Sequence, residues 1–334
     1  AIEESLYGRD AELVVADNGS TDGSVEMLSL HFPGVRIIAL DRNYGFTGGY
    51  NRAIAALLSE PASRPEYLVL LNSDVLVEPD WLDNLTRHMD GHPECGVCGP
   101  KLMALLHRNG EYIQTGMLEY AGAAGGYVDR FGYPFCRGRV LSRTDIDGPW
   151  YFRGQDVLWV SGACMMTRAS LWEELKGLDD RFFAHMEEID FCWRAQLSGF
   201  KVSVVPCTRV WHLGGGTLPR TSVSKLMLNY RNGLLLLDNN LAATIGPGRA
   251  RVRIFTRLLL DDLSALAYLL EGRPDLCRAV FRAHKEYRAL RKVPHTPASG
   301  SGKVRGVMPL CIIVEYLLKG KKIFDFLRKY EDCH

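Results

Sequence analysis

Four short apolar runs, each broken at its carboxyl end by polar or glycine-rich residues, organise the first hundred positions of the chain. Residues 12–17, E-L-V-V-A-D, lead into Asn18-Gly19-Ser20-Thr21-Asp22-Gly23-Ser24, a turn carrying helix-capping residue types. Residues 35–40 run into D-R-N-Y-G-F-T-G-G-Y-N at 41–51, with a helix expected over 50–58. Residues 66–77, E-Y-L-V-L-L-N-S-D-V-L-V, read as a buried strand interrupted at Asn72-Ser73-Asp74. Strands near 12–17, 35–40, 67–72 and 95–99 alternate with helical patterns, which predicts an α/β architecture with a central sheet.

Ligands of open α/β sheets gather beyond the carboxyl ends of the strands, so the residues there carry the candidate chemistry. Asp74, two positions after Asn72 and next to Ser73, offers hard oxygens to Mg²⁺ or Mn²⁺ and to the phosphates such ions carry. An ionised Asp17 can accept the imide N–H of a uracil or thymine ring. Glycines 45, 48 and 49 allow close backbone approach to a phosphate or sugar, although their spacing is not that of a dinucleotide fingerprint. Further on, residues 182–194, F-F-A-H-M-E-E-I-D-F-C-W-R, place Glu187, Glu188 and Asp190 at the start of a helix among aromatic side chains. Low water access raises a carboxylate's proton affinity and suits it to base chemistry. The plainer reading is a solvated first helical turn in which Asp190 pairs with Arg194. Taken alone, His212 between Trp211 and Leu213 reads as a core histidine.

The succession V-V-A-D-N-G-S-T-D-G-S, N-Y-G-F-T-G-G-Y-N, L-L-N-S-D, G-P-K-L, V-S-G-A-C-M-M, F-F-A-H-M-E-E-I-D-F-C-W-R and V-W-H-L-G-G-G-T resembles the family 2 glycosyltransferases, in particular their rhamnosyltransferase-like branch. The resemblance runs in order from about residue 12 to 240. It implies a GT-A fold with a mixed central sheet, a nucleoside-diphosphate sugar donor, a divalent cation (Mg²⁺ or Mn²⁺) and inversion at the anomeric carbon. Carried over by residue, it assigns Asp17 to the nucleobase and Asn43, Gly48 and Gly49 to the donor pocket. Asn72, Ser73 and Asp74 stand where the family has its D-x-D motif, with Asp74 on the metal. Glu188 takes the place of the general base, supported by Glu187, Asp190 and Arg194, and His212 that of a residue serving the metal or the leaving diphosphate. Gly162 and Ala163 border the acceptor side. Tyr230-Arg231-Asn232 resembles a motif shared within the branch, and the sequence gives it no role.

One departure stands out. Family members open with an apolar strand and a helix, whereas this chain starts at Ala1-Ile2-Glu3-Glu4, near that helix's end, so the first strand is expected to be missing or supplied by another chain. A non-catalytic GT-A-like subunit that binds saccharide or nucleotide is therefore the alternative to an enzyme. A nucleotide-sugar pyrophosphorylase is a further enzyme alternative, but the Gly-rich, Arg-bearing opening loop expected of one is not seen in this sequence.

Charge and composition refine the picture. Nine cysteines scattered along the chain do not form a secreted disulfide framework, and a cytoplasmic enzyme, peripheral at the inner face of the membrane, is expected. Residues 249–334 hold 18 Lys and Arg against 9 Asp and Glu, and the remainder 22 against 30. Within that basic third, helical periodicity puts Phe255, Leu258, Leu259, Leu263, Leu266 and Leu270 on one face, and a second apolar stretch at 307–318 precedes Lys319, Lys321 and Lys322. Such faces suit either an anionic bilayer or packing on the catalytic domain or a second copy. The division expected is a GT-A domain over 1–237 and a basic helical extension over 238–334, joined within by a loop at 294–302. The partners implied are a nucleoside-diphosphate sugar, a saccharide or lipid-linked saccharide acceptor, a membrane surface and a second copy of the chain; no nucleic acid is expected.

Overall fold

A computed structural model describes residues 2–60, 64–120, 122–213, 222–295 and 300–333. Gly214 to Thr217, the end of the V-W-H-L-G-G-G-T motif, and 296–299 of the expected 294–302 loop lie outside the described residues.

Strands form where the apolar runs predict them. β1 (Val14–Asp17) and β2 (Arg36–Ala39) pair in parallel as a sheet of their own. β3 (Tyr67–Leu71), β4 (Val75–Val77), β5 (Cys95–Arg108) and β6 (Glu111–Leu118) belong to a seven-stranded mixed sheet with the strands Gln155–Asp156, Cys164–Arg168 and Lys201–His212. Its spine is the parallel pairing of β5 with Lys201–His212, while β3 lies antiparallel to Cys164–Arg168. Among the described residues no strand joins the β1–β2 pair to the seven-stranded sheet.

α1 (Ile2–Ser5) precedes β1, and α2 (Ser24–His31) lies between β1 and β2. α3 (Gly45–Leu58) begins five residues earlier than the pattern predicts, so Gly45, Gly48 and Gly49 lie inside its first turns rather than ahead of it. Packing overrides the poor helix propensity of glycine here. A Cβ on Gly45, whose φ is +73°, would sit 2.5 Å from Phe183, and one on Gly49 would meet the Asn18 amide at 3.1 Å. α4 (Trp81–Gly91) buries Trp81, Leu85 and Met89, spaced four apart, against the sheet. Short α5 (Ala169–Glu174) precedes α6 (Glu187–Leu197), which carries the acidic motif and is buried on nearly every side.

α7 (Val223–Ile245), α8 (Pro247–Leu270) and α9 (Pro274–Leu290) pack mutually, and α7 also packs on α6. The division expected between 237 and 238 falls inside α7, because Leu234 to Leu237 are all buried and tie both halves of that helix into one core. The chain then returns to the body. Residues 307–308 add a parallel strand to Gly126–Asp129, ahead of α10 (Ile312–Lys319) and α11 (Ile323–Cys333). Glu331 of α11 accepts hydrogen bonds from Tyr127, Arg137 and Trp150, so the C-terminal segment is part of the body rather than an appendage.

On α8 the predicted stripe is left open. Val252, Phe255, Leu259, Leu263, Leu266 and Leu270 are between 48% and 81% exposed, whereas Leu258, expected on the same face, turns inward onto the core. No helix among the described residues is long and apolar enough to cross a membrane.

Candidate active site

The turns that follow β1 and β2 meet at the start of α3. Asp17, 8% exposed, spends its Oδ2 on the backbone N–H groups of Gly19 (3.2 Å) and Ser20 (3.1 Å), which fixes the turn after β1. Asn18, which the sequence did not single out, accepts the Tyr44 N–H at 2.9 Å and donates to the Gly45 carbonyl at 2.8 Å. Asn43 accepts the Gly45 N–H at 2.8 Å, so both asparagines shape the start of α3. Gly48 packs against Tyr44 and Arg52, where a Cβ would come within 2.9 Å of each. α3 in turn reaches β3 through the Tyr50 hydroxyl, which donates to the Leu71 carbonyl at 3.0 Å.

The break in the apolar run after β3 is a turn, with Ser73 exposed and Asp74 facing the end of the strand Lys201–His212. His212 Nε2 lies 3.2 Å from Asp74 Oδ1 and 3.5 Å from Asn72 Nδ2. Its Nδ1 faces Oε1 of Glu119 at 3.8 Å. Burial opposes a charge on this imidazole, but Asp74 and Glu119 outweigh it and raise its pKa to about 9. The bond from His212 is also the main reason Asp74 titrates below the ordinary carboxylate range. Glu119 is 3% exposed and invisible to motif reading, since it comes from the far end of β6 and is brought to His212 only by the sheet.

Can this cluster hold a divalent ion? Two ligand atoms each about 2.1 Å from one ion, at right angles, lie about 3 Å apart, and the Asp74–His212 separation of 3.2 Å suits adjacent positions on such an ion. Glu119, 3.8 Å from Nδ1, lies beyond hydrogen-bond distance and faces the imidazole as a nearby negative charge. Among the described residues no group of three or more His, Cys, Asp or Glu could hold a metal alone. Remaining positions would have to come from water or phosphate oxygens, as is usual for Mg²⁺ and Mn²⁺.

The acidic motif approaches from the other side. Gly162 and Ala163 precede the strand Cys164–Arg168, and the Ala163 carbonyl accepts the Asn72 N–H at 3.0 Å. A Cβ on Gly162 would lie 3.7 Å from that of Glu188 and 3.2 Å from Phe46. Glu188 therefore stands beside the 162–163 turn that carries Asn72. Part of its side chain is open, yet its Oε2 is buried without a partner. Burial raises its pKa to about 7, partly opposed by backbone N–H groups at the start of α6. Glu187 is 4% exposed, and burial together with the neighbouring Glu188 charge holds its proton far above the usual carboxylate range. Two adjacent carboxyls thus differ in proton affinity, the arrangement that separates a proton acceptor from a group kept neutral.

Asp190 belongs to the scaffold. With no exposure, its carboxylate accepts from Arg194 Nε (2.7 Å), Asn239 Nδ2 (2.9 Å) and Asn240 Nδ2 (2.8 Å). Arg194 also donates to the carbonyls of Leu175 and Gly177. Neither asparagine was legible as a site residue, because nothing in the local sequence of α7 says that its polar stripe faces α6.

Residues 2–142 match the model of the family "Glycosyl transferase family 2". The chain is 26% identical over 234 residues to the N-acetylglucosaminyl-diphospho-decaprenol L-rhamnosyltransferase of Mycobacterium tuberculosis, a match covering 69% of this chain and 75% of that protein. It is 23% identical over 204 residues to rhamnosyltransferase WbbL of Escherichia coli K12, covering 60% of this chain and 72% of that one. Among solved structures it superposes on GalNAc-T7, crystallised with UDP, GalNAc and Mn²⁺, with a TM-score of 0.50 and 17% identity over 69% of this chain, and spans 42% of that chain's length. The likeness is one of fold, and the fold is GT-A-like.

Proposed function

We propose, from the match of residues 2–142 to the family 2 glycosyltransferases and from the rhamnosyltransferases among its relatives, that the chain transfers a sugar, L-rhamnose being the first to test, with inversion. The donor is a nucleoside-diphosphate sugar and the acceptor a hydroxyl of a saccharide or lipid-linked saccharide. The observation that carries the reading is the half-open Glu188, its buried Oε2 unpartnered, beside the 162–163 turn that holds Asn72. Glu188 accepts the proton of the acceptor hydroxyl as that oxygen bonds to the anomeric carbon. The bond from that carbon to the diphosphate breaks on the opposite face, and its electron pair leaves with the diphosphate oxygen. Asp74 and His212 would hold Mg²⁺ or Mn²⁺. When bound, the ion supplies positive charge against the charge growing on the leaving diphosphate. Asp17, with Oδ1 left over from its turn, faces the nucleobase; Asn43, Gly48, Gly49, Asn72 and Ser73 border the donor, and Gly162 and Ala163 the acceptor.

Turnover of a panel of nucleotide sugars tests this directly. EDTA should stop it and Mn²⁺ restore it, and the product should carry the inverted anomer. The base must be deprotonated to act, and its pKa is raised to about 7. Hence kcat/KM should climb with pH and level off above about 7. A metal-independent rate that is flat from about pH 5 to 8 would refute the scheme.

The open stripe on α8 suits a role in membrane contact. Arg253, at the start of the stripe, has its pKa lowered by burial and by the charges of Arg130 and Arg249 close to it. Exposed apolar side chains beside a crowded group of cations suit an anionic lipid surface, where a lipid-linked acceptor would reside. The protein should float with phosphatidylglycerol-containing vesicles and not with neutral ones, and Phe255→Glu with Leu259→Glu should abolish flotation. If the same pair instead dissolves a dimer seen by light scattering, the face is a self-association surface.

A further inference from the structure

The run that delivers Glu188 to the site has a backbone that its own sequence does not favour. Phe183, His185 and Met186 all lie at positive φ, +65°, +71° and +70°, without being glycine. L side chains rarely adopt this region, so such a run persists only where surrounding bonds hold it. Met186 is also the N-cap of α6 and offers no side-chain cap. The bonds come from α7. Asn232, with no exposure, directs its amide Nδ2 to three carbonyls of the run: Phe182 (3.1 Å), Ala184 (2.8 Å) and His185 (2.7 Å). Its Oδ1 accepts from Arg231 Nε at 2.9 Å, which fixes which way the amide faces. Arg231 adds Nη2 to the Phe182 carbonyl at 2.7 Å and is itself tied to Glu286 of α9 at 3.2 Å. On the outer side of the run, the Phe183 carbonyl accepts the Thr47 N–H at 3.3 Å and its ring covers Gly45, both on the donor-side helix α3.

We propose that Asn232, oriented by Arg231, is a positioning residue of the transfer reaction: its amide holds the carbonyls of residues 182–185, and so sets where α6 begins and where Glu188 points. This rests on the reading of Glu188 as base. The amide has two N–H donors for the three converging carbonyls, so one of them is shared, and a side chain with a single donor would serve fewer still. Because the same run touches α3, the clamp also fixes the base relative to the donor pocket, and a misplacement of about 1 Å at such a site costs on the order of 10²-fold in rate.

Asn232→Ala should therefore lower kcat on the order of 10²-fold while the affinity for UDP or dTDP with Mn²⁺ stays unchanged. Amide hydrogen exchange at 183–188 should accelerate selectively. In the Glu188→Gln background, Asn232→Ala should cost almost nothing more, since both changes act on one group. Arg231→Gln, which keeps the Asn232 amide but removes its brace together with the Arg231 bonds to the Phe182 carbonyl and Glu286, should give the same pattern in milder form and serves if the alanine variant does not fold. An undiminished penalty in the Glu188→Gln background, or unchanged exchange at 183–188, overturns the positioning role. Full activity of Glu188→Gln by itself would instead remove the base reading, and with it the purpose of the clamp, even where exchange shows that the clamp exists.

Discussion

Glu188→Gln should lose about 10²–10⁴-fold in turnover and keep its affinity for nucleotide and metal. The amide has the shape of the carboxylate but cannot take a proton, so the change isolates base catalysis from packing. Glu187 is a poor substitute despite its position. It is 4% exposed, and burial together with its neighbour's charge keeps its proton bound, so it lacks access to a hydroxyl and is already protonated. Isothermal titration with UDP or dTDP and Mn²⁺ should give the same affinity for variant and parent, because Asp17, Asp74 and His212 are untouched. Parental turnover in the variant would mean that the proton goes elsewhere.

A loss of comparable size, in stability rather than rate, is expected for Arg194→Leu. Its guanidinium pairs with Asp190, which has no exposure, and caps the carbonyls of Leu175 and Gly177 at 2.8 and 2.9 Å. Leucine fills much of the volume but strands a buried carboxylate with only the Asn239 and Asn240 amides, and breaking a buried pair from one side costs about 3–5 kcal/mol. For a chain of this length the melting temperature should fall on the order of 10 °C. Thermal unfolding followed by circular dichroism measures it, and an unshifted midpoint would show that the pair is not structural. The double change Arg194→Leu with Asp190→Asn should recover part of the loss, since no charge is then left unpaired.

Much of this site lies open in the linear order of residues. The apolar run 67–71 ends at Asn72-Ser73-Asp74 because a buried strand must stop where charged groups need water or a ligand, and the structure places the turn there. Glu187, Glu188 and Asp190 read as the first turn of a helix, and α6 begins at Glu187. The start of α3 did not follow from propensity: glycines at 45, 48 and 49 argue against helix, and only contact with Phe183, Tyr44 and Asn18 shows why side chains are absent there. The periodicity of 252–270 predicted an apolar stripe, but not that Leu258 would turn inward while its neighbours stay exposed.

Hydrophobic periodicity and turn chemistry are local properties of the chain, so the α/β layering, the position of the strand ends and the chemical types gathered at them can be read from the order of residues. Tertiary structure alone decided which of those groups meet. Glu119 reaches His212 from β6, Asn239 and Asn240 reach Asp190 from α7, and Asn232 grips the run before Glu188 from 47 to 50 positions away. Hydrogen bonds act over about 3 Å in space whatever the separation along the chain. The polar stripe of α7 therefore acquires its meaning only once the buried leucines on that helix have docked it against α6.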